Sequence, residues 1–271
     1  MLWPAAWQFK ITTMKKIFLF TVLLTVALIA IFNSCSKKID EVNLSYPAIN
    51  PTKPDANAGT WKPILLTTAN EFACAAPIAT TSPDYIIQLN EIKSFQDNIS
   101  GDEEDLVKYW GAGAVLRWNE IMRELVAKHN LPPYQNPDGT YPAPNANNPL
   151  AYPFFPFSNP PYAARAYAYL SAAQYDACVA GYFYKSLYNR TAPFNVDANI
   201  KTLLPKSTLP SYPSEDAVVM GASVEILKLM FPGDQDYINQ KAEEHKRARL
   251  VAGANVRSDL DAGEALGKLV A

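Results

Sequence analysis

The chain has 271 residues, 49% hydrophobic and 18% charged, which is enough apolar material for one large packed domain or two modest ones. Its 24 Lys and Arg against 26 Asp and Glu leave a formal net charge of −2, which excludes the basic footprint of a nucleic-acid binder. The 22 prolines and 15 tyrosines fall in particular segments and punctuate the chain.

The first of those segments is a targeting sequence. "MKK" from Met14 precedes the apolar run "IFLFTVLLTVALIAIF" and then "NSC", ending at Cys35. A basic start, an apolar core and small residues before a cysteine read as a secretory signal, set apart from the fold. The cysteine points to a bacterial lipoprotein, lipidated at Cys35 and held to the cell envelope at the outer membrane or facing the periplasm. A retained signal anchor is the alternative, but the run is short for a spanning helix. Phe32 is bulkier than the usual lipobox residue, and residues 1–13 read as an extension upstream of the true start at Met14.

Residues 36–60 are polar and proline-broken, the composition of a tether, and residues 61–100 carry no clear period. Residues 36–100 are therefore set apart as tether and N-terminal segment, and the helical domain is expected over 101–271. "GDEEDLVKYWGAGAVLRWNEIMRELVAKHN" predicts one long helix capped by Asp102, with Val107, Trp110, Ala114, Trp118, Ile121 and Leu125 on one apolar stripe. The prolines of residues 132–161 forbid a regular element. The aromatics Tyr152, Phe154, Phe155 and Phe157 fit either a packed loop over a site or one that merely closes the bundle.

A second long helix, rich in Ala and Tyr, is predicted from about Tyr162 to Tyr188. A third follows Pro213 and runs to Met230, where "FPGD" stops it. Asp234 is placed as cap of a charged fourth helix, and Ser258 or a neighbour starts the last one. No period-2 pattern appears in the second half, so the expected class is all-α, a bundle of long helices. Cys74 and Cys178 could pair in an exported chain, but the Ala-rich helical setting of Cys178 favours a buried free thiol.

Three spaced segments carry the chemistry: "KSLYNRTAP" from Lys185, "PSYPSEDA" from Pro210 and "ARLVAGANVRSDLDAGEALG" from Ala248. Their order and spacing resembles the superfamily of type 2 phosphatidic acid phosphatases, bacterial acid phosphatases and vanadium haloperoxidases. That superfamily is marked by K-x6-RP, then PSGH, then SR-x5-H-x3-D. The resemblance covers roughly residues 101–271 and implies a helical bundle with an oxyanion pocket of cations and N–H donors, phosphate esters or vanadate as its ligands, and two working histidines.

Position by position, the resemblance places Lys185, Ser214, Arg249 and Asp259 on family residues, with Pro193 closing the first motif. Ala192 stands where an arginine belongs, and Arg190 is either its substitute or a solvated or core-bracing side chain. Glu215 replaces the glycine of PSGH, Asp216 the acid histidine, Ala248 the serine of the third motif and Asn255 the nucleophilic histidine. His245 lies on a charge-rich stretch that reads as exposed. Asp259 is expected to orient residue 255, and Lys185 and Arg249 to face the carboxylates. Ser214 is also a good N-cap, and acids in the next turn suit the helix dipole without any function.

Three functions stay open on this basis: a phosphate-ester hydrolase with altered residues, acting through Asp216, Asn255 and Asp259; a non-catalytic binding or scaffold lipoprotein that keeps the fold; and a metal-dependent site with Glu215, Asp216 and Asp259 as oxygen ligands. Vanadium peroxidase chemistry ranks below them, since no histidine stands at the coordinating position; neither vanadate nor a divalent metal is required as cofactor. The implied partners are a phosphate-bearing small molecule or lipid, and a membrane through the lipid anchor. The family's last helix continues further than "GKLVA", so a truncated bundle is expected to expose Leu266 and Val270.

Overall fold

The computed structural model describes residues 46–129, 137–140 and 160–271. Cys35 and its signal-like segment, and the aromatic loop residues 152–157, lie outside the described residues. Within the described residues the chain is all-α, with no strand and seven helices of more than two turns. These are α1 (Pro83–Gln96), α2 (Gly101–Gly111), α3 (Ala114–His129), α4 (Pro160–Tyr188), α5 (Glu215–Met230), α6 (Gln235–Val251) and α7 (Arg257–Val270). Single helical turns at Ala58–Thr60, Pro193–Val196 and Pro232–Asp234 bend the connections. Among the described residues no helix is long and apolar enough to cross a membrane.

Helix α5 is the centre of the bundle. Every residue from Ala217 to Val224 is buried, which fits a helix apolar on all sides and walled in by neighbours. It packs most closely on α7, and glycine makes this contact possible. A Cβ on Gly267 would lie 2.1 Å from the Val218 carbonyl oxygen, and one on Gly263 would lie 2.6 Å from the Ser214 carbonyl oxygen. The two backbones therefore touch along their length, and the Asp259 carbonyl accepts the Ser214 N–H at 2.9 Å. That bond fixes the start of α5 against the start of α7.

The predicted helix over 101–129 is two helices. Gly113, at φ +108°, breaks the run, and a Cβ there would collide with Ile49, which lies 2.2 Å away. The cap of α2 is Ser100 in a reciprocal capping box with Glu103, two residues before the expected Asp102. The expected apolar stripe still faces inward, with Trp110 and Trp118 at the heart of the core.

The segment before residue 101 is packed from at least Ala58 onward. Gly59 lies against the Phe183 backbone of α4, and α1, capped by Ser82, buries Tyr85, Leu89 and Ile92. Helix α1 has almost no amphipathic pattern, which is why its residues gave no period. Asp234 precedes α6 but caps nothing: its carboxylate is drawn to Lys128, and to His129 at 2.6 Å. Leu266 is buried against α5 and Val270 packs on the core, so the expected exposed stripe is absent. Cys74 and Cys178 are both free thiols.

Candidate functional site

Four helix ends meet at one place. The C-terminal end of α4 supplies Lys185 and, just beyond it, Arg190. The start of α5 supplies Ser214, Glu215 and Asp216, the last turns of α6 supply His245 and Arg249, and the entry to α7 supplies Asn255 and Asp259. Asn189, at φ 45°, ends α4 in the left-handed conformation that terminates many helices, and its N–H bonds back to the Lys185 carbonyl at 2.9 Å. All the residues singled out between 185 and 259 are thus brought together.

Each cation in the cluster has its own carboxylate. Lys185, whose side chain is 3% exposed, places Nζ 2.7 Å from Glu215 Oε2 and also donates to the Pro210 carbonyl. Arg249 Nη1 stands 3.0 Å from Asp216 Oδ2. Arg190 donates from Nη2 to Asp259 Oδ1 and, at 3.1 Å, to Ser258 Oγ. Its guanidinium lies 4.6 Å from the Tyr212 ring centroid and 5.1 Å from that of Tyr85, a cation–π setting for a buried arginine. Three cations meet three anions, and the cluster is neutral.

Asp259 does not orient residue 255. Its Oδ2 accepts the Val256 N–H at 2.9 Å and caps α7, while its Oδ1 takes Arg190 and the Ser211 hydroxyl, the latter at 3.3 Å. Asn255 is held by other groups: Oδ1 accepts from Ser214 Oγ at 3.2 Å and Arg249 Nε at 3.1 Å, and Nδ2 donates to the Ser211 carbonyl at 3.1 Å. An amide with both ends tied inside the protein has no free lone pair with which to attack a substrate. Arg190 fills the core-bracing role, with its charge spent on Asp259.

Ser214 caps α5 as its sequence suggests, accepting the Ala217 N–H at 3.3 Å. Asp216 has a further neighbour that no local pattern signals: the Ala114 backbone N–H at the start of α3, which draws its carboxyl pKa down. His245 is buried, not exposed. Its ring stacks on Trp110 with centroids 4.1 Å apart, and its Nδ1 accepts from Trp118 Nε1 at 3.2 Å. The proton of the neutral imidazole therefore sits on Nε2, which faces Asp216 Oδ1 at 3.9 Å and has no hydrogen-bond partner among the described residues. A charged-looking helix hid this, because only the i, i+4 spacing to Arg249 put His245 on the inner face.

Burial and charge divide the two adjacent acids. Burial alone would raise Glu215, but Lys185 and Arg249 bring its carboxyl below the ordinary range. For Asp216 burial prevails over the pull of Arg249, and the neighbouring Glu215 adds to it, so its carboxyl is raised. Burial, with Arg249 nearby, drives His245 well below its usual range and keeps it neutral. Asp259 is raised by burial despite Arg190.

A small cavity opens beside the cluster, lined among others by Ala192, Phe194, Ser211, Glu215, Arg249 and Asn255. Ala192 leaves room where the resembled family carries an arginine. Glu215 reaches this cavity, whereas Asp216 does not line it. Among the described residues no three His, Cys, Asp or Glu side chains converge closely enough to hold a metal ion, so the metal reading of Glu215, Asp216 and Asp259 finds no such geometry.

No protein-family model matches the chain. No curated protein matches it either. Among solved structures, that of the first bacterial vanadium-dependent iodoperoxidase matches with a TM-score of 0.62 and 18% sequence identity, over 87% of this chain and 60% of that one. The likeness is one of fold, and the present chain spans about three-fifths of that protein's length.

Proposed function

We propose that this chain is a lipid-anchored, non-catalytic protein of the cell envelope, built on a haloperoxidase-type bundle whose former oxyanion pocket is closed by its own carboxylates. One observation carries this. Glu215 and Asp216 sit on Lys185 and Arg249, the two cations that a phosphate or vanadate group would need. A carboxylate about 4 Å from an oxyanion repels it by roughly 4 kcal/mol at an effective dielectric of 20, comparable to one or two charge-assisted hydrogen bonds. With Ala192 in place of an arginine, every cation of the cluster is already paired with a carboxylate, and Asn255, tied on both sides, supplies no nucleophile. The protein then acts by holding or presenting a partner at the envelope.

A histidine-free hydrolase is the second reading, and the raised carboxyl of Asp216 favours it, since a carboxyl lifted toward neutrality suits acid–base work. The test is hydrolysis of phosphate monoesters and diesters by the full chain at acid, neutral and basic pH, with Arg249→Ala beside it. No turnover in either protein is expected. Turnover that Arg249→Ala abolishes would replace the non-catalytic reading with the hydrolase.

A further inference from the structure

Residues 61–66, "WKPILL", form a loop held to α4 by its backbone. The buried carboxylate of Asp176 accepts three consecutive N–H groups, from Ile64 at 2.6 Å, Leu65 at 2.7 Å and Leu66 at 3.0 Å. Tyr175 Oη donates to the Lys62 carbonyl at 3.1 Å, and Glu71 accepts the Thr67 N–H at 2.6 Å. Leu66 turns in to the core. Its neighbours turn out: Trp61 is 42% exposed, Ile64 60% and Leu65 79%.

A buried carboxylate fixing a loop whose apolar side chains face outward is an expensive arrangement for a surface that touches only water. Exposed apolar patches of this kind mark interaction sites. On α4, Tyr169 is 46% exposed and lies two turns before Asp176, on the same helix face, so it extends the patch. Lys62 is the one charged residue between Asp55 and Glu71.

We propose that this loop, with Tyr169, is a membrane-docking edge, at which Trp61, Ile64 and Leu65 enter the boundary between lipid headgroups and acyl chains. The inference rests on the envelope-anchored part of the proposed function. Two features point to lipid as the occupant. Trp, Tyr, Lys and aliphatic residues together are the composition that settles at a bilayer interface. In addition, the apolar run and Cys35 lie in the same chain, upstream of Tyr46, the first described residue. Eleven residue steps separate Cys35 from Tyr46, a chain length that spans at most about 40 Å. An anchor at Cys35 holds the chain to the surface but leaves the domain free to turn, and a second contact of this kind fixes its orientation.

The full chain, mixed with phosphatidylcholine–phosphatidylglycerol vesicles, tests this by flotation and by tryptophan quenching with brominated acyl chains. The difference between wild type and Trp61→Phe isolates Trp61 from the buried Trp110 and Trp118 and from the tryptophans of residues 1–13. The expected result is co-flotation, a blue shift of the Trp61 emission and loss of most of its intensity to brominated lipid, with Ile64→Glu/Leu65→Glu restoring the intensity. Flotation with an unquenched Trp61 would overturn the docking edge and leave the anchor intact. Failure to float would overturn both.

Discussion

His245 and Asp216 face each other across 3.9 Å, too far for a hydrogen bond, with the imidazole proton directed at a carboxylate whose other oxygen is held by Arg249. The tautomer follows from Trp118, which occupies the Nδ1 lone pair. Nitrogen-15 shifts of the imidazole are therefore expected to report an Nε2–H form that resists protonation at pH values where an ordinary histidine is already charged, because burial and Arg249 oppose a second positive charge. Trp118→Phe is expected to release that tautomer and to cost about 1–3 kcal/mol through the stranded acceptor. A histidine that titrates in the ordinary range would contradict the burial of the ring.

Asp216 and Glu215 predict opposite pH dependences. The native Asp216 carboxyl is raised, so the folded state binds its proton more readily than the unfolded state does. Its contribution is present below the unfolded pKa and is lost as pH rises through the higher folded value. Asp216→Asn removes that loss, so the variant's stability relative to wild type is expected to improve as pH rises from the acid limit to neutrality. Glu215 is lowered, so its contribution is present above the unfolded pKa and is lost as pH falls through the lower folded value. Glu215→Gln is accordingly expected to lose stability relative to wild type over the same rise in pH. Urea unfolding at a series of pH values measures both, and parallel curves for the two variants would refute the division between them.

Arg190 and Asp259 form the most deeply buried pair of the cluster, with side chains 3% and 0% exposed. Arg190→Met strands a carboxylate that still caps α7, and a loss of about 3–5 kcal/mol is expected. Adding Asp259→Asn removes the stranded charge and keeps an acceptor for the Val256 N–H, so the double variant is expected to recover more than half of that loss. Chemical denaturation of the two variants decides it. A double variant no better than Arg190→Met would mean that the cation–π contacts with Tyr85 and Tyr212, not the ion pair, dominate.

The contact between α5 and α7 sets the geometry of the site, and glycine sets the contact. Gly267→Ala puts a methyl group 2.1 Å from a backbone carbonyl, and a loss of about 3 kcal/mol is expected because neither helix can yield alone. Gly233→Ala meets nothing within 4 Å and is expected to stay within about 0.5 kcal/mol of wild type. Thermal melts of both provide the comparison.

The bundle was legible because α3 and α7 carry their apolar periods openly and Ser214 caps α5, and the spacing of three segments placed Lys185, Ser214, Arg249 and Asp259 in one cluster. What the sequence hid was of three kinds. The α1 pattern was too weak to read, since that helix is held by Tyr85, Leu89 and Ile92 on an otherwise mixed surface. The break at Gly113 was half visible, in the glycines at 111 and 113 that interrupt a continuous apolar stripe, but the positive φ that makes it was not. The pairings inside the site depended on which carboxylate reached which cation. Asp259 could have served Asn255 as well as Arg190 by spacing alone, and only packing decided between them. His245 was misplaced because a charged helix was read as exposed on every face.

The closed state of the pocket can be undone without rebuilding the fold. Glu215→Gln and Asp216→Asn keep the shapes of the side chains and remove the two charges that neutralise Lys185 and Arg249. Each charge removed relieves an oxyanion of roughly 4 kcal/mol of repulsion at about 4 Å and an effective dielectric of 20, so vanadate and phosphate affinity is expected to rise at least about 100-fold in the double variant. Turnover is not expected to follow, because Asn255 remains tied to Ser214, Arg249 and Ser211 and offers no nucleophile. Isothermal titration of wild type and double variant with both anions separates the outcomes. Tight binding by the wild type would show that the carboxylates yield to a ligand and that the pocket is in use. Weak binding by both would show that Ala192 has cost the site more than the two acids have.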